Sequence, residues 1–150
     1  MRTASRKLGI AWVLLVLALA LHVADEALTG FLSVYNPTVL SMRQMVSWFP
    51  MPVFTFRTWL SGLVGAVIVL LLLSGFVFRG DRWIRPLAYF FAILMIANGL
   101  GHVAGTIMGR TAANIYFQRP MPGFYSSPFL LAASVYLLIQ LKRTSKLNSA

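Results

Sequence analysis

The sequence predicts an all-α fold: a four-helix transmembrane bundle with both termini cytoplasmic and a short helix in the first outer loop. Three observations predict it. First, 59% of the 150 residues are hydrophobic and only 11% are charged. A soluble domain carries about a quarter charged residues, so this chain cannot cover a water-facing surface. Second, four apolar stretches approach the roughly 20 residues that a helix needs to cross a bilayer. Strands are excluded as spans, because an open sheet edge leaves backbone polar groups unpaired in lipid. Third, basic residues are dense in alternate loops. The whole chain, residues 1–150, reads as a single integral membrane domain, multi-pass in the cell membrane.

The first span runs from about Leu8 to Leu28, behind Arg2, Arg6 and Lys7. The second runs from Trp59 to Phe78, and the third from Pro86 to Met108. Arg79, Arg82 and Arg85 lie between them. The fourth runs from Phe124 to Leu141, followed by Lys142, Arg143 and Lys146 in a polar tail expected to fray. The other two loops hold only Arg43 and Arg57, then Arg110 and Arg119. The positive-inside rule therefore predicts cytoplasmic termini.

The first outer loop, Phe31 to Thr58, is the longest and is punctuated by Asn36-Pro37 and Pro50-Met51-Pro52. Between these marks TVLSMRQMVSWF predicts a short helix, with Trp48 at headgroup level. The second outer loop carries RPMPGFYSSP, in which Pro-x-Pro-Gly predicts a turn. The fourth helix is expected to start near Ser126-Ser127-Pro128, with a serine as N-cap. Arg2 to Lys7, the apolar run and Ala18-Leu19-Ala20 also have the form of a cleavable signal peptide. Against that form, apolar character continues past Ala20 through Leu21 and Val23.

Charge and cysteine content narrow the function. The net charge of +10 would suggest nucleic acid in a soluble protein. Here the charges lie between apolar spans, and no basic run is interleaved with exposed aromatics. The expected partners are membrane lipids and not nucleic acid. With no cysteine there is no disulfide framework and no thiolate chemistry.

The chain has only 2 His and 3 acidic residues, yet LHVADEALTG gathers His22, Asp25 and Glu26 at the outer end of the first span. At i, i+3 and i+4 they share one helix face. The third span reads ANGLGHVAG, with Asn98 and His102 at i and i+4. At 1.5 Å per residue, His22 and Glu26 stand roughly 21 to 27 Å up the first helix, and Asn98 and His102 roughly 18 to 24 Å up the third. Topology came from basic residues alone, so the common level is an independent agreement. Gly99, Gly101 and Gly105 would let another backbone approach closely.

A carboxylate at such depth is costly unless paired or hydrated, and such groups usually mark function. Imidazoles and carboxylates at helical spacing are the ligands of zinc, iron and manganese sites in bundles. His22, Glu26 and His102 are the leading ligands of a divalent metal. Asp25 is a fourth ligand or general base, Glu26 is the other candidate base, and Asn98 is a supporting residue. Two other readings stay open. The same residues can form a polar knot that locks helices together. Alternatively, Asp25 and Glu26 can reach interfacial water, or Arg43 or Arg110.

The chain resembles the HXXEE family of small multi-spanning membrane proteins. His22-Val23-Ala24-Asp25-Glu26 matches that family's His-x-x-Glu-Glu motif, with Asp25 replacing a glutamate. Asn98-Gly99-Leu100-Gly101-His102 matches its Asn-x-x-x-His motif in full. Pro120-Met121-Pro122-Gly123 matches its Tyr-x-Pro-Gly motif in the Pro-Gly, with Pro120 in the place of tyrosine. The resemblance implies an integral membrane domain with a functional site, but supplies no reaction. A metal at that depth would suit hydrolysis or modification of a lipid-like substrate, by polarising an ester or phosphate oxygen. The alternatives are a proton- or cation-coupled carrier using the same carboxylates, or a structural membrane protein.

Overall fold

A computed structural model describes residues 2–147, with side chains described for 5–145; those of Arg2 and Lys146 lie outside this set. The described residues form five helices: α1 (Arg2–Thr29), α2 (Leu32–Met45), α3 (Phe56–Arg79), α4 (Ile84–Met108) and α5 (Ser127–Leu147). No β-strand occurs among them. Three helices are long and apolar enough to cross a membrane: α1 over Ser5–Thr29, α3 and α4. This is the make-up of a membrane protein. In α5 the apolar stretch ends at Leu141, before Lys142 and Arg143.

Local chemistry sets the helix ends. Thr55 is extended, and its hydroxyl accepts the Thr58 N–H at 3.3 Å, capping α3. At the other end the Asp81 N–H returns to the Phe76 carbonyl and the Gly80 N–H to Val77, at 3.2 and 3.0 Å. These bonds satisfy carbonyls that a helix end otherwise leaves open. α1 stops in the same way, with the Phe31 N–H on the Glu26 carbonyl at 2.9 Å.

α1 is the central helix. It packs along α3 on one side and α5 on the other, while α4 packs along α5. Buried Leu8, Trp12, Leu15, Ile84, Leu130 and Leu137 fill the core. The Trp12 indole N–H donates to the Leu70 carbonyl at 2.9 Å, which spares it an unpaired polar group in an apolar interior. Trp12 lies early in α1 and Leu70 late in α3, and Gly9 likewise meets the Phe78 ring, so the two run antiparallel. α4 and α5 are antiparallel too: Gly99 lies against Leu131 and the Ser127 carbonyl. Val64, Ile68, Val69 and Leu72 of α3 face outward, as residues of a lipid-facing helix do.

Some boundaries differ from those the sequence predicts. The loop helix begins at Leu32, with Pro37 inside it, and ends at Met45. Pro37 forfeits a helical hydrogen bond. Asn36 beside it is held from outside the helix: its side chain donates to the Phe54 carbonyl at 2.9 Å and accepts the Phe54 N–H at 3.0 Å. That pair ties the 46–55 segment to α2. α5 starts at Ser127, at the Ser126-Ser127-Pro128 start that the sequence predicts and three residues inside the apolar span from Phe124. It also continues through the polar tail to Leu147, where fraying was expected. Thr144 is buried there, and its hydroxyl donates to the Gln140 carbonyl at 2.7 Å.

Candidate metal centre

The polar residues of α1 and α4 meet in the interior. His22 is 0% exposed, Glu26 4% and His102 3%. The two imidazoles make an edge contact with centroids 4.7 Å apart. One ligand atom from each of His22, Glu26 and His102 lies within 4.8 Å of the others, so the three can hold a metal ion. Glu26 Oε1 is 3.5 Å from His22 Nε2 and 3.2 Å from His102 Nε2. Metal bonds of about 2.0–2.1 Å in tetrahedral array put neighbouring ligand atoms about 3.3 Å apart. Both separations fit that spacing.

The tautomer of His22 follows from its surroundings. His22 Nδ1 is 2.8 Å from Ser126 Oγ. Ser126 Oγ is also 2.8 Å from Asp25 Oδ2, a group that only accepts. The Gly123 carbonyl, 3.2 Å from the same hydroxyl, also only accepts, so the serine hydrogen goes to Asp25 or Gly123 and the serine oxygen accepts the hydrogen of His22 Nδ1. That leaves the lone pair on His22 Nε2. This nitrogen is buried and has no hydrogen-bond partner. Such orphaned atoms are rare in folded proteins and call for an explanation. It faces Glu26 Oε1 at a distance too long for good hydrogen bonding.

His102 is arranged differently. Its Nε2 lies 3.0 Å from Asn98 Oδ1 and 3.2 Å from Glu26 Oε1. Both oxygens accept, so without an ion this nitrogen carries the ring hydrogen between them. Its Nδ1 is buried and unpartnered, and can carry that hydrogen when Nε2 turns to an ion.

The Pro122-Gly123 turn closes the centre. Gly123 has φ +85°, and a Cβ there would stand 2.8 Å from His102 Cε1 and 2.9 Å from Glu26 Cγ. Only glycine fits both the conformation and the space. The turn is held by Thr29, which accepts the Gly123 N–H at 3.2 Å, and by Ser127, which donates to the Gly123 carbonyl at 2.8 Å.

Of the residues the sequence singles out, His22, Glu26, Asn98 and His102 converge. Asp25, the expected fourth ligand or base, is not in the close group. Its Oδ2 takes the Ser126 N–H and hydroxyl, both at 2.8 Å. The burial of Glu26 sets aside its interfacial reading. Arg43 and Arg110 are engaged elsewhere, with the Met51 carbonyl and Asn114 Oδ1, each at 2.7 Å. Sequence reasoning missed Ser126 as a site residue. Its carbonyl does accept the Leu130 N–H at 3.1 Å, as an N-cap carbonyl should, but its side chain turns back to α1. A run of two serines where one cap suffices was the available signal.

The three glycines of α4 have separate roles. Gly99 admits α5, and Gly105 admits Met121 of the loop, while a Cβ on Gly101 would meet nothing within 4 Å. Gly101 instead opens on a cavity of about 390 Å³ between α2 and α4, which Asn98 and His102 also line. The centre is therefore enclosed by α1, α5 and the 122–123 turn, with the cavity beyond Asn98 and His102 on the remaining side. No family model, curated protein or solved structure matches this chain.

Proposed function

We propose that this chain is a multi-pass protein of the cell membrane, of the HXXEE type, built as a four-helix transmembrane bundle with both termini cytoplasmic. In this reading α5 is the fourth span, and the metal centre lies in the outer half of the bilayer. His22 Nε2, Glu26 Oε1 and His102 Nε2 hold one divalent ion of zinc, iron or manganese. The protein hydrolyses or modifies a lipid-like substrate that enters through the cavity beside Asn98 and His102. A metal bound there supplies Lewis acidity toward an ester or phosphate oxygen. Asp25 is a positioning residue: it orients Ser126, which fixes the tautomer of His22. Support comes first from the buried, unpartnered Nε2 of His22, whose hydrogen Ser126 and Asp25 hold on the opposite nitrogen.

Metal analysis of purified protein tests the proposal. Wild type is expected to retain close to one ion per chain and His102→Ala close to none. Equal, near-zero content in both overturns it. The contacts of His102 Nε2 with Glu26 and Asn98 support a second reading, a polar knot joining α1 to α4 without metal. In that case Glu26→Gln lowers thermal stability while metal content is nil throughout.

A further inference from the structure

We infer that the cavity beside the metal centre is a groove for a single-chain amphiphile with an anionic head group. The inference rests on the proposed outer-half position of the site, and does not require the metal. The floor of the groove is one face of α4. Ala97, Gly101, Ala104 and Met108 follow at helical spacing, line the cavity and are exposed. At 1.5 Å per residue this trough is about 16 Å long. Phe31, just before α2, and Val34 in its first turn form the facing wall. A volume of about 390 Å³ is small among ligand sites, which span roughly 300–1,000 Å³. It suits one chain and not two.

The outer end of the groove is cationic. Arg110 lines it, bonded only to the neutral oxygen of Asn114 among its described hydrogen bonds. The Arg119 guanidinium packs against Gly109 beside it. All 3 acidic side chains of the chain are engaged elsewhere. Asp25 holds Ser126, Glu26 lies between the histidines, and Asp81 is 3.4 Å from Arg79 at the opposite end of α4. No acid of this chain competes for the rim, so an anionic head is its electrostatic complement. Two other apolar cavities, one along Leu14 and Tyr136 and one along Phe54 and Gly62, have no charged residue in their linings. A head seated at Arg110 sends its chain down α4 past His102 and Asn98.

Photocrosslinking of full-length protein in phosphatidylcholine nanodiscs tests this. The probes are a diazirine-bearing lysophosphatidate and the monoacylglycerol with the same chain. Adducts of lysophosphatidate are expected on α2 and on residues 97–108. Gly101→Leu, which grows into open space, should lower their yield at least tenfold while metal content and thermal midpoint stay at wild-type values. Ala104→Leu, also on the groove floor, should act in the same sense. Arg110→Gln should reduce the preference for the anionic probe about fivefold, as loss of one interfacial cation predicts. Adducts spread evenly over α3, or unchanged yield in both leucine variants, overturn the groove. Absence of metal with groove adducts intact would refute the metal reading alone, and metal present with no groove adducts would refute this one alone.

Discussion

Replacing Ser126 with alanine removes one oxygen and should weaken a site that the serine never touches as a ligand. Ser126 Oγ lies 2.8 Å from both His22 Nδ1 and Asp25 Oδ2. Without it, Nδ1 loses its acceptor, and the hydrogen is free to move to Nε2, where it blocks the lone pair. Asp25 keeps only the Ser126 backbone N–H. Loss of such an outer partner typically lowers metal affinity 10- to 100-fold, or about 1.4–2.7 kcal/mol. The matched control is Ser127→Ala, which deletes a buried bond of the same 2.8 Å length to the Gly123 carbonyl and no bond to a histidine. As the metal-free protein, Ser127→Ala should lose about 1 kcal/mol of stability and Ser126→Ala about 2–3 kcal/mol, because the latter removes bonds to both His22 and the Asp25 carboxylate. Chelator competition should separate them, with affinity falling in Ser126→Ala and staying within about threefold of wild type in Ser127→Ala. Asp25→Asn, which keeps an accepting oxygen for the serine, should fall between. Equal affinity loss in the two alanine variants would refute the tautomer argument.

Three further outcomes follow from the geometry. Gly123→Ala should abolish metal retention and lower the thermal midpoint, because the left-handed backbone alone costs about 1–2 kcal/mol and the added carbon collides with His102 and Glu26; normal metal content would contradict it. Glu26→Gln should cut metal content to near that of His102→Ala, since a neutral amide oxygen is a poorer ligand for a divalent ion, and metal analysis of the two side by side checks this. Trp12→Phe should cost about 1 kcal/mol through loss of the indole N–H bond to the Leu70 carbonyl, which keeps the Ser74 hydroxyl as a donor, read by thermal unfolding, with metal content unchanged.

The helices were legible because lipid leaves a chain few options. Apolar length located α3, α4 and the end of α1 to within about three residues, while α1 begins at Arg2, ahead of the predicted Leu8. Half of the centre was legible for a related reason. His22 with Glu26, and Asn98 with His102, repeat at i and i+4, and topology set both pairs at one level. The choice between Asp25 and Glu26 was not legible. Adjacent residues point about 100° apart on a helix, so one carboxylate faces His102 and the other faces α5, and only the packing of α5 decides which. Ser126 and Gly123 reach the site across long stretches of chain, His22 to Ser126 alone spanning 104 residues. No local pattern carries that information. Asn36-Pro37 misled for the same reason: the Phe54 backbone that holds Asn36 lies 18 residues away.

X-ray absorption spectroscopy of the purified protein, at the edge of whichever ion it retains, examines the centre itself. Two imidazole nitrogens at about 2.0–2.1 Å with at least one oxygen are expected for zinc, and this signal is expected to vanish with the ion in His22→Ala and in His102→Ala. A first shell of oxygens alone, unchanged by either substitution, would contradict the site.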